Sequence, residues 1–225
     1  MKKRKDVETR KTKPITVDFP PIPPPSDPLT STTLLDSQIL LIPNFLSAAT
    51  CKSYIASFTK LPLQLSPPPG KNEATRTNAR FATCDPVFAK GLFNDTGLAE
   101  FTKEWSVKLG KRTLGVKGLH SNIRIYRYDT GAFFGPHYDS CTRDEVSGFT
   151  SHWTLLIYLT GSEDGVEGGE TVFYESGKKG GEIVVGIERG LALLHRHGGS
   201  DCLLHEGRTV TKGTKWVLRS DLVFG

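Results

Sequence analysis

The stretch Gly135-Pro136-His137-Tyr138-Asp139 decides how this chain is interpreted. It follows the alternating run Asn122-Ile-Arg-Ile-Tyr-Arg-Tyr128, which is typical of a β-strand. Side chains at positions i and i+2 of a strand point to the same side. His137 and Asp139 can therefore reach one ion together while Tyr138 points away. Taken alone, His-x-Asp also arises by chance, as a strand-end histidine beside a turn aspartate that bonds to backbone.

A third ligand has to come from a neighbouring strand, and the run Asp201-Cys-Leu-Leu-His205 supplies a histidine. Two imidazoles and one carboxylate on one face leave three coordination positions open, which is typical of Fe(II) oxygenases. A closed zinc site would use four protein ligands, often closely spaced cysteines. The cysteines of this chain are far apart and are expected to be free thiols, namely Cys51, Cys84, Cys141 and Cys202.

Five blocks in the same order make the chain resemble the 2-oxoglutarate- and Fe(II)-dependent oxygenases of the prolyl 4-hydroxylase type, from about residue 122 to residue 224. The blocks are Tyr128-x-x-Gly131, Pro136-His137-x-Asp139, Thr154-Leu-Leu-Ile-Tyr158-Leu159, Gly168-Gly169-Glu170-Thr171-Val172-Phe173, and His205 followed by Gly213-x-Lys215-Trp216-Val217. An upstream segment, Ile42-Pro-Asn-Phe-Leu-Ser47, is also similar. The implied fold is mostly β with buttressing helices, a double-stranded β-helix (jelly roll).

The resemblance implies a role for each matching residue. The iron ligands would be His137, Asp139 and His205. Lys215, ten positions after His205, would pair with the far carboxylate of 2-oxoglutarate. Hydroxyl groups at that end of the co-substrate would come from Tyr128, Thr154 and, less directly, Tyr158. The alternatives are that Lys215 is an ordinary exposed strand residue and that the tyrosines are ordinary core residues.

The implied enzyme is a dioxygenase that uses Fe(II), 2-oxoglutarate and dioxygen, with ascorbate as a candidate reductant. It would release succinate and carbon dioxide and hydroxylate an unactivated C–H bond. A protein side chain is the first candidate substrate and a small polar molecule the second. A non-catalytic β-helix protein that senses iron or oxygen is a different class that the residues leave open.

The substrate end departs from the collagen-type pattern, which puts collagen-like proline peptides in doubt. The residue three before the first histidine is Phe134 rather than tyrosine, and Asp221 and Val223 replace an aromatic residue and a histidine after Lys215. Strand alternation suggests contacts with a small polar or acidic substrate. The predicted substrate residues are Arg124, Tyr126, Phe134, Arg219 and Asp221.

Three further features each have a functional and a purely structural interpretation. His195 and His197 share one face of a strand; they are candidates for a second layer around the iron, although strand-end histidines at a surface are commoner. The Gly168-Gly169 pair predicts a turn into a strand rather than a phosphate site. The polar loop 140–151 is long enough to act as a lid over substrate or to be a passive surface loop.

The first 28 residues differ in composition from the rest. Residues 1–13 carry seven basic residues against Asp6 and Glu8, which gives +5, the formal net charge of the whole 225-residue chain. The remainder is therefore neutral, which argues against a nucleic-acid groove in the folded domain. Residues 14–28 are rich in proline. We predict a disordered basic and proline-rich arm over 1–33, able to bind a partner, and an oxygenase domain over 34–225.

Local patterns predict the first elements of that domain. Gln38–Ile42 is expected to be a strand, and Ser47 is expected to cap a helix that buries Cys51, Tyr54, Ile55 and Phe58. Residues 85–109 are expected to be helical in two pieces. No secretory signal and no apolar run of about 20 residues are visible. The prediction is a cytoplasmic or nuclear protein without a membrane partner, with Lys2-Lys-Arg-Lys5 as a candidate nuclear signal.

Overall fold

The computed structural model describes residues 17–25, 27–71, 73–175, 180–199 and 202–225. Its helices are α1 (Ala48–Phe58), α2 (Pro86–Asp95) and α3 (Leu98–Thr102). Its strands are β1 (Thr32–Leu35), β2 (Ile39–Ile42), β3 (Gln64–Leu65), β4 (Ala79–Cys84), β5 (Ser106–Leu109), β6 (Arg112–Leu119), β7 (Asn122–Asp129), β8 (Phe134–His137), β9 (Thr150–Tyr158), β10 (Glu167–Gly168), β11 (Thr171–Tyr174), β12 (Glu182–Val185), β13 (Ala192–Arg196), β14 (Leu204–Gly207), β15 (Val210–Lys212) and β16 (Thr214–Phe224).

Two main antiparallel sheets carry the fold, and β10 pairs with β15 in a third, two-stranded sheet. The large sheet runs in the order β1-β2-β13-β9-β16-β7-β4-β3, and β6 joins it by pairing with β16. The small sheet runs in the order β12-β11-β14-β8. This confirms the predicted fold class: mostly β, with the jelly-roll arrangement and helices on one side.

The large sheet is buried on both faces, which explains why β9 and β16 read as nearly continuous buried runs. Alternate residues of β7, such as Ile123 and Ile125, pack with the helices in one core. The intervening residues, such as Tyr126 and Tyr128, pack in a second core that includes Phe173 of the small sheet. The predicted metal ligands lie at the edge of this second core.

The first elements largely follow their sequence signals. Ser47 caps α1 by accepting a hydrogen bond from the backbone N–H of Thr50 at 3.1 Å. Asp85 caps α2 in the same way through Phe88 at 2.8 Å. The predicted helical region ends too late: residues 106–109 form β5, which pairs with β6 as a hairpin. All four cysteines are free, as expected.

Part of the predicted arm lies against the domain. Val17 is 6% exposed, and Phe19 stacks on Phe88 of α2 with 3.7 Å between ring centroids. The predicted boundary at residue 34 also falls inside β1, which starts at Thr32. The apolar residues between the prolines explain the difference, because they give this segment side chains to bury. The basic run 1–13 lies outside the described residues.

Within the described chain, no helix combines the length and the apolar composition that crossing a bilayer requires. The predicted absence of a membrane partner and the predicted cellular compartment stay predictions.

Candidate active site

Strand register brings the three predicted metal ligands together. His137 at the end of β8 lies directly opposite His205 of β14. Asp139 follows two residues after His137, and Tyr138 between them is 63% exposed. The Nε2 atom of His137 lies 3.9 Å from Asp139 Oδ1, and the Nε2 atom of His205 lies 3.8 Å from Asp139 Oδ2. Ligand atoms of all three residues lie within 4.8 Å of one another.

The hydrogen bonds on the far side of each ring show that this donor set suits a metal ion. His137 Nδ1 donates to the carbonyl of Gly135 at 2.9 Å, and His205 Nδ1 donates to the carbonyl of Leu203 at 2.9 Å. These bonds fix the tautomer, so each Nε2 presents its lone pair to the triad. Burial lowers the pKa of His137 to about 4 and also lowers that of His205. Neutral imidazoles are the form that binds metal.

Asp139 is held by Arg219 and Thr154. Arg219 donates from Nη2 to Asp139 Oδ2 at 2.9 Å and from Nη1 to Oδ1 at 3.2 Å. The Thr154 hydroxyl donates to Asp139 Oδ2 at 2.9 Å and accepts from His197 Nδ1 at 2.8 Å. Burial opposes ionisation of Asp139, but the Arg219 guanidinium and neighbouring histidines hold its pKa well below the usual range. The carboxylate is therefore charged and oriented before any metal arrives.

A narrow cavity of about 40 Å³ connects this triad to Lys215. Lys215 on β16 is 4% exposed, and its amine donates to the carbonyl of Gly169 at 2.6 Å. Burial lowers the pKa of Lys215 to about 8. Among the described residues, no carboxylate lies within 4.0 Å of this amine, and the charge of Glu170 offsets the effect of burial on its pKa only in part.

The walls around Lys215 are aromatic and hydroxylic. Its amine lies 5.5 Å from the ring centroid of Tyr128 and 4.9 Å from that of Tyr158. The Tyr158 hydroxyl bonds to Thr171 Oγ1 at 2.7 Å. Gly169 has φ +76°, and a Cβ there would approach Lys215 Cδ to 3.3 Å, so a glycine is needed beside the lysine. The predicted turn at Gly168-Gly169 into β11 is confirmed.

Thr154 lies elsewhere than predicted. It pairs with Asp221 across β9 and β16, at the metal end of the site rather than beside Lys215. Its hydroxyl is used by Asp139, so it cannot also serve the far carboxylate. Thr171 is the threonine that lines the cavity there, together with Tyr128. Thr171 belongs to the Gly168–Phe173 block quoted above. Only the register of β9 against β16 shows that Thr154, rather than Thr171, lies beside Asp139.

The expectation that His195 and His197 lie at the surface is wrong. They are 2% and 1% exposed. His195 in the inner strand β13 packs against Phe173 of the small sheet, with 5.1 Å between ring centroids, and His197, just after β13, bonds to Ser151 and Thr154. His195 Nε2 is buried without a hydrogen-bond partner and lies 3.7 Å from Asp139 Oδ2. The alternative prediction, that both histidines lie in a layer just behind the metal ligands, matches these positions.

Of the predicted substrate residues, Tyr126, Phe134 and Arg124 line cavities next to the metal. Phe134 stacks on His137 with 3.6 Å between centroids and fixes that ring. Asp221 is 1% exposed and bonds to Arg124 and Arg219, so it is an internal ion-pair partner rather than a substrate contact. Arg219 reaches the cavities, yet its guanidinium is occupied by Asp139 and Asp221.

Loop 140–151, the candidate lid, is anchored at its centre. Asp144 is 2% exposed and accepts hydrogen bonds from Ser121 and Ser147. Ser140 and Thr142 at the start of the loop line a cavity beside Asp139. Closure over substrate stays a prediction.

Comparison with known proteins agrees with this geometry. Residues 123–220 match the model of the 2OG-Fe(II) oxygenase superfamily. No curated protein matches the chain. Solved structures with the same fold include a viral collagen prolyl hydroxylase from Paramecium bursaria Chlorella virus-1, with a TM-score of 0.54 and 20% identity over 84% of this chain and 97% of that one.

Two others show the range of the fold. A Trichoplax adhaerens prolyl hydroxylase, solved with a peptide of the hypoxia inducible factor oxygen degradation domain, has a TM-score of 0.60 and 15% identity over 84% of each chain. SnoK, a carbocyclase from nogalamycin biosynthesis, has a TM-score of 0.54 and 11% identity over 83% of this chain and 79% of that one. The match over residues 123–220 therefore indicates a 2OG-Fe(II) oxygenase domain in this part of the chain, and prolyl hydroxylases are among the solved structures that share its fold.

Proposed function

We propose that this oxygenase hydroxylates an unactivated C–H bond on a protein side chain and converts 2-oxoglutarate to succinate and carbon dioxide. The observation that carries the proposal is the buried amine of Lys215, which faces a cavity that ends at the His137, Asp139 and His205 triad. A buried lysine whose one hydrogen bond is to a carbonyl group, with two aromatic rings beside it, is costly unless an anion joins it. A dicarboxylate chelated at the triad would supply that anion.

The far carboxylate of 2-oxoglutarate would take the place of the Gly169 carbonyl on Lys215. The hydroxyls of Tyr128 and Thr171 line the same cavity and can donate to that carboxylate, with Tyr158 holding Thr171. Burial raises the pKa of both tyrosines above its usual value, so both remain donors. This assignment keeps Lys215, Tyr128 and Tyr158 as co-substrate residues and replaces Thr154 by Thr171.

At the other end, the chain orients the iron ligands and excludes water. Bound Fe(II) would activate dioxygen, the oxidant, and 2-oxoglutarate would supply two electrons as it is decarboxylated to succinate, while ascorbate as a further reductant stays a prediction. Arg219 and Thr154 keep Asp139 ionised and fixed in direction. Phe134 and Phe173 contact the rings of His137 and His205 and keep this wall of the site apolar.

A protein substrate is favoured over a compact small molecule by the two larger cavities that open beside the metal ligands, with volumes of about 350 and 500 Å³. The Trichoplax neighbour was solved with a peptide, whereas SnoK belongs to nogalamycin biosynthesis. A small polar substrate is the second candidate, since the charged residues Arg124 and Arg219 reach the nearer cavity.

Anaerobic titration with Fe(II) and 2-oxoglutarate tests the proposal through the metal-to-ligand charge-transfer band of the chelate. We expect a band in the wild type, no band in His137→Ala, and an unchanged band in Tyr138→Ala, whose side chain lies outside the triad. A folded, iron-loaded wild-type protein without the band would refute the oxygenase chemistry. A non-catalytic sensor predicts an iron response that Lys215→Ala leaves intact.

A further inference from the structure

We propose that the arginine-lined cavity beside the metal binds carboxylate groups of an acidic peptide segment, so that the hydroxylated residue lies next to aspartate or glutamate. Arg76 and Arg80 would make the contacts. This inference rests on the proposed protein hydroxylase function and specifies its substrate class.

The cavity has a volume of about 350 Å³ and shares Asp139 with the metal site. Its floor is formed by neighbouring strands in register: Arg80 of β4 pairs with Tyr126 of β7, and Ala82 pairs with Arg124. Arg124 in turn lies opposite Arg219 of β16. A group bound here would therefore lie within a few side chains of the reacting centre.

The charges in this cavity do not cancel. Four arginines line it, namely Arg76, Arg80, Arg124 and Arg219, and the only carboxylate among its lining residues is Asp139. Asp139 is bound to Arg219, and the buried Asp221 behind the lining is shared by Arg124 and Arg219. These two acids offset two of the four positive charges.

Arg76 and Arg80 remain available. Among the described residues, neither has a carboxylate within the 4.0 Å of an ion pair, and Arg80 is exposed. Arg76 packs its guanidinium over the Phe134 ring at 5.2 Å from the centroid, which orients it while leaving its N–H donors for a ligand. Guanidinium groups bind carboxylates through two parallel hydrogen bonds, so two adjacent arginines suit a carboxylate-bearing ligand.

An extended ligand fits better than a compact one because a second cavity meets the first at the metal. This cavity, of about 500 Å³, shares Arg76, Phe134 and Asp139 with the arginine-lined one and continues along Pro136, Tyr138 and Leu204. Glu73 also lines it, so the excess of positive charge lies in the arginine-lined cavity. A chain that crosses Asp139 can occupy both cavities, with its target side chain toward the metal. Tyr138, which is 63% exposed, offers an apolar surface at that end.

The test is a binding measurement on protein loaded with Mn(II) and 2-oxoglutarate, which needs no knowledge of the target residue. Labelled oligoglutamate, oligolysine and Gly-Ser peptides of about 12 residues, long enough to cross both cavities, would be compared by fluorescence anisotropy at about 50 mM salt. We expect oligoglutamate to bind at least about tenfold more tightly than the Gly-Ser peptide. The double variant Arg76→Gln/Arg80→Gln should lose about tenfold in oligoglutamate affinity.

Arg127→Gln is the matched control, because Arg127 is on the opposite face of β7 and pairs with the exposed Asp129 at 3.1 Å. Equal binding of oligoglutamate and Gly-Ser, an equal loss in Arg127→Gln, or binding of inorganic polyphosphate in place of oligoglutamate would each overturn the inference. The charge-transfer band of the same variants distinguishes failure of the acidic-peptide inference from failure of the proposed function. A normal band without oligoglutamate binding refutes the acidic peptide alone, whereas a missing wild-type band refutes the proposed function.

Discussion

The two halves of the site differ in burial, charge and fidelity to the family pattern. The co-substrate half, from the metal triad to Lys215, is narrow, and its key amine is 4% exposed. The substrate half is wide and carries an excess of arginine. The first half matches every block of the oxygenase pattern, whereas the second lacks the aromatic and histidine residues after Lys215. The shared chemistry is thus built into the buried half, and selectivity is left to the open one.

The ion-pair chain Asp139–Arg219–Asp221–Arg124 joins the halves, so breaking it should have the largest effect on the molecule. In Asp221→Asn the carboxylate that two arginines share is lost, and both guanidinium groups stay largely buried. Removing one partner of a buried pair costs about 3–5 kcal/mol, and we expect that loss in the free energy of unfolding from urea denaturation. Asp129→Asn, which removes an exposed carboxylate beside Arg127, should cost under about 1 kcal/mol. Similar losses in the two variants would contradict the coupling.

The co-substrate half should depend on Lys215 alone for its positive charge. Lys215→Met keeps the length of the side chain but removes the charge, and a lost buried charge pair is worth about 2–5 kcal/mol. We expect the 2-oxoglutarate concentration for half-saturation of the charge-transfer band to rise on the order of 100-fold. Iron affinity without co-substrate should stay unchanged.

Lys212→Met provides the comparison for that variant, since Lys212 is exposed and pairs with Glu167 at 2.8 Å. It should titrate like the wild type. An equal shift in both lysine variants would mean that general charge, rather than the cavity, attracts 2-oxoglutarate.

Much of the buried half could be predicted because its residues obey local rules. Strand alternation places His137 and Asp139 on one side, and the spacing from His205 to Lys215 carries over from the family pattern. The jelly-roll fold follows from the same blocks. Ser47 and Asp85 each satisfy a local capping bond at a helix start.

The errors concern long-range register. Thr154 faces the metal because it pairs with Asp221, a residue 67 positions later, and no local pattern contains that pairing. His195 is buried by Phe173 of the small sheet and His197 by its bonds to Ser151 and Thr154, contacts between residues far apart in sequence. Arg76 and Arg80 precede the matching blocks and reach the site only because β4 extends the sheet beyond β7. Alternation along residues 79–84 is the signal that would have placed Arg80.

Arg219 and Thr154 should act on the metal through Asp139, with a smaller effect than loss of Lys215 has on co-substrate. Partners that hydrogen-bond to a metal ligand contribute about 10–100-fold to metal affinity. We expect Arg219→Lys to lose most of this factor because an ammonium cannot make the two parallel bonds to Asp139. Thr154→Val, which removes one hydrogen bond, should lose about tenfold or less.

Competition with a chelator for Mn(II) measures these affinities. Thr154→Ser retains the hydroxyl and should restore the affinity, which a purely structural role for the threonine would not require. If Arg219→Lys bound Mn(II) with wild-type affinity, Arg219 would not act on the metal through Asp139. It would then be available to contact substrate, as the sequence alone suggests.

The smallest expected effect is a pH dependence confined to the co-substrate half. Burial lowers the pKa of Lys215 to about 8, so the amine of the free protein loses its proton as the pH rises through that value. The dicarboxylate binds the protonated amine, and its affinity should therefore be constant below pH 8 and fall by about tenfold per pH unit above it. Calorimetric titration of 2-oxoglutarate into the Mn(II) protein between about pH 7 and 9 measures this fall. Lys215→Met should show weak affinity with no such slope, while Arg76→Gln/Arg80→Gln should keep the wild-type slope, because those arginines stay charged across the range. If the slope persisted in Lys215→Met, the titrating group would be another residue. The pH dependence would then no longer distinguish the co-substrate half from the substrate half.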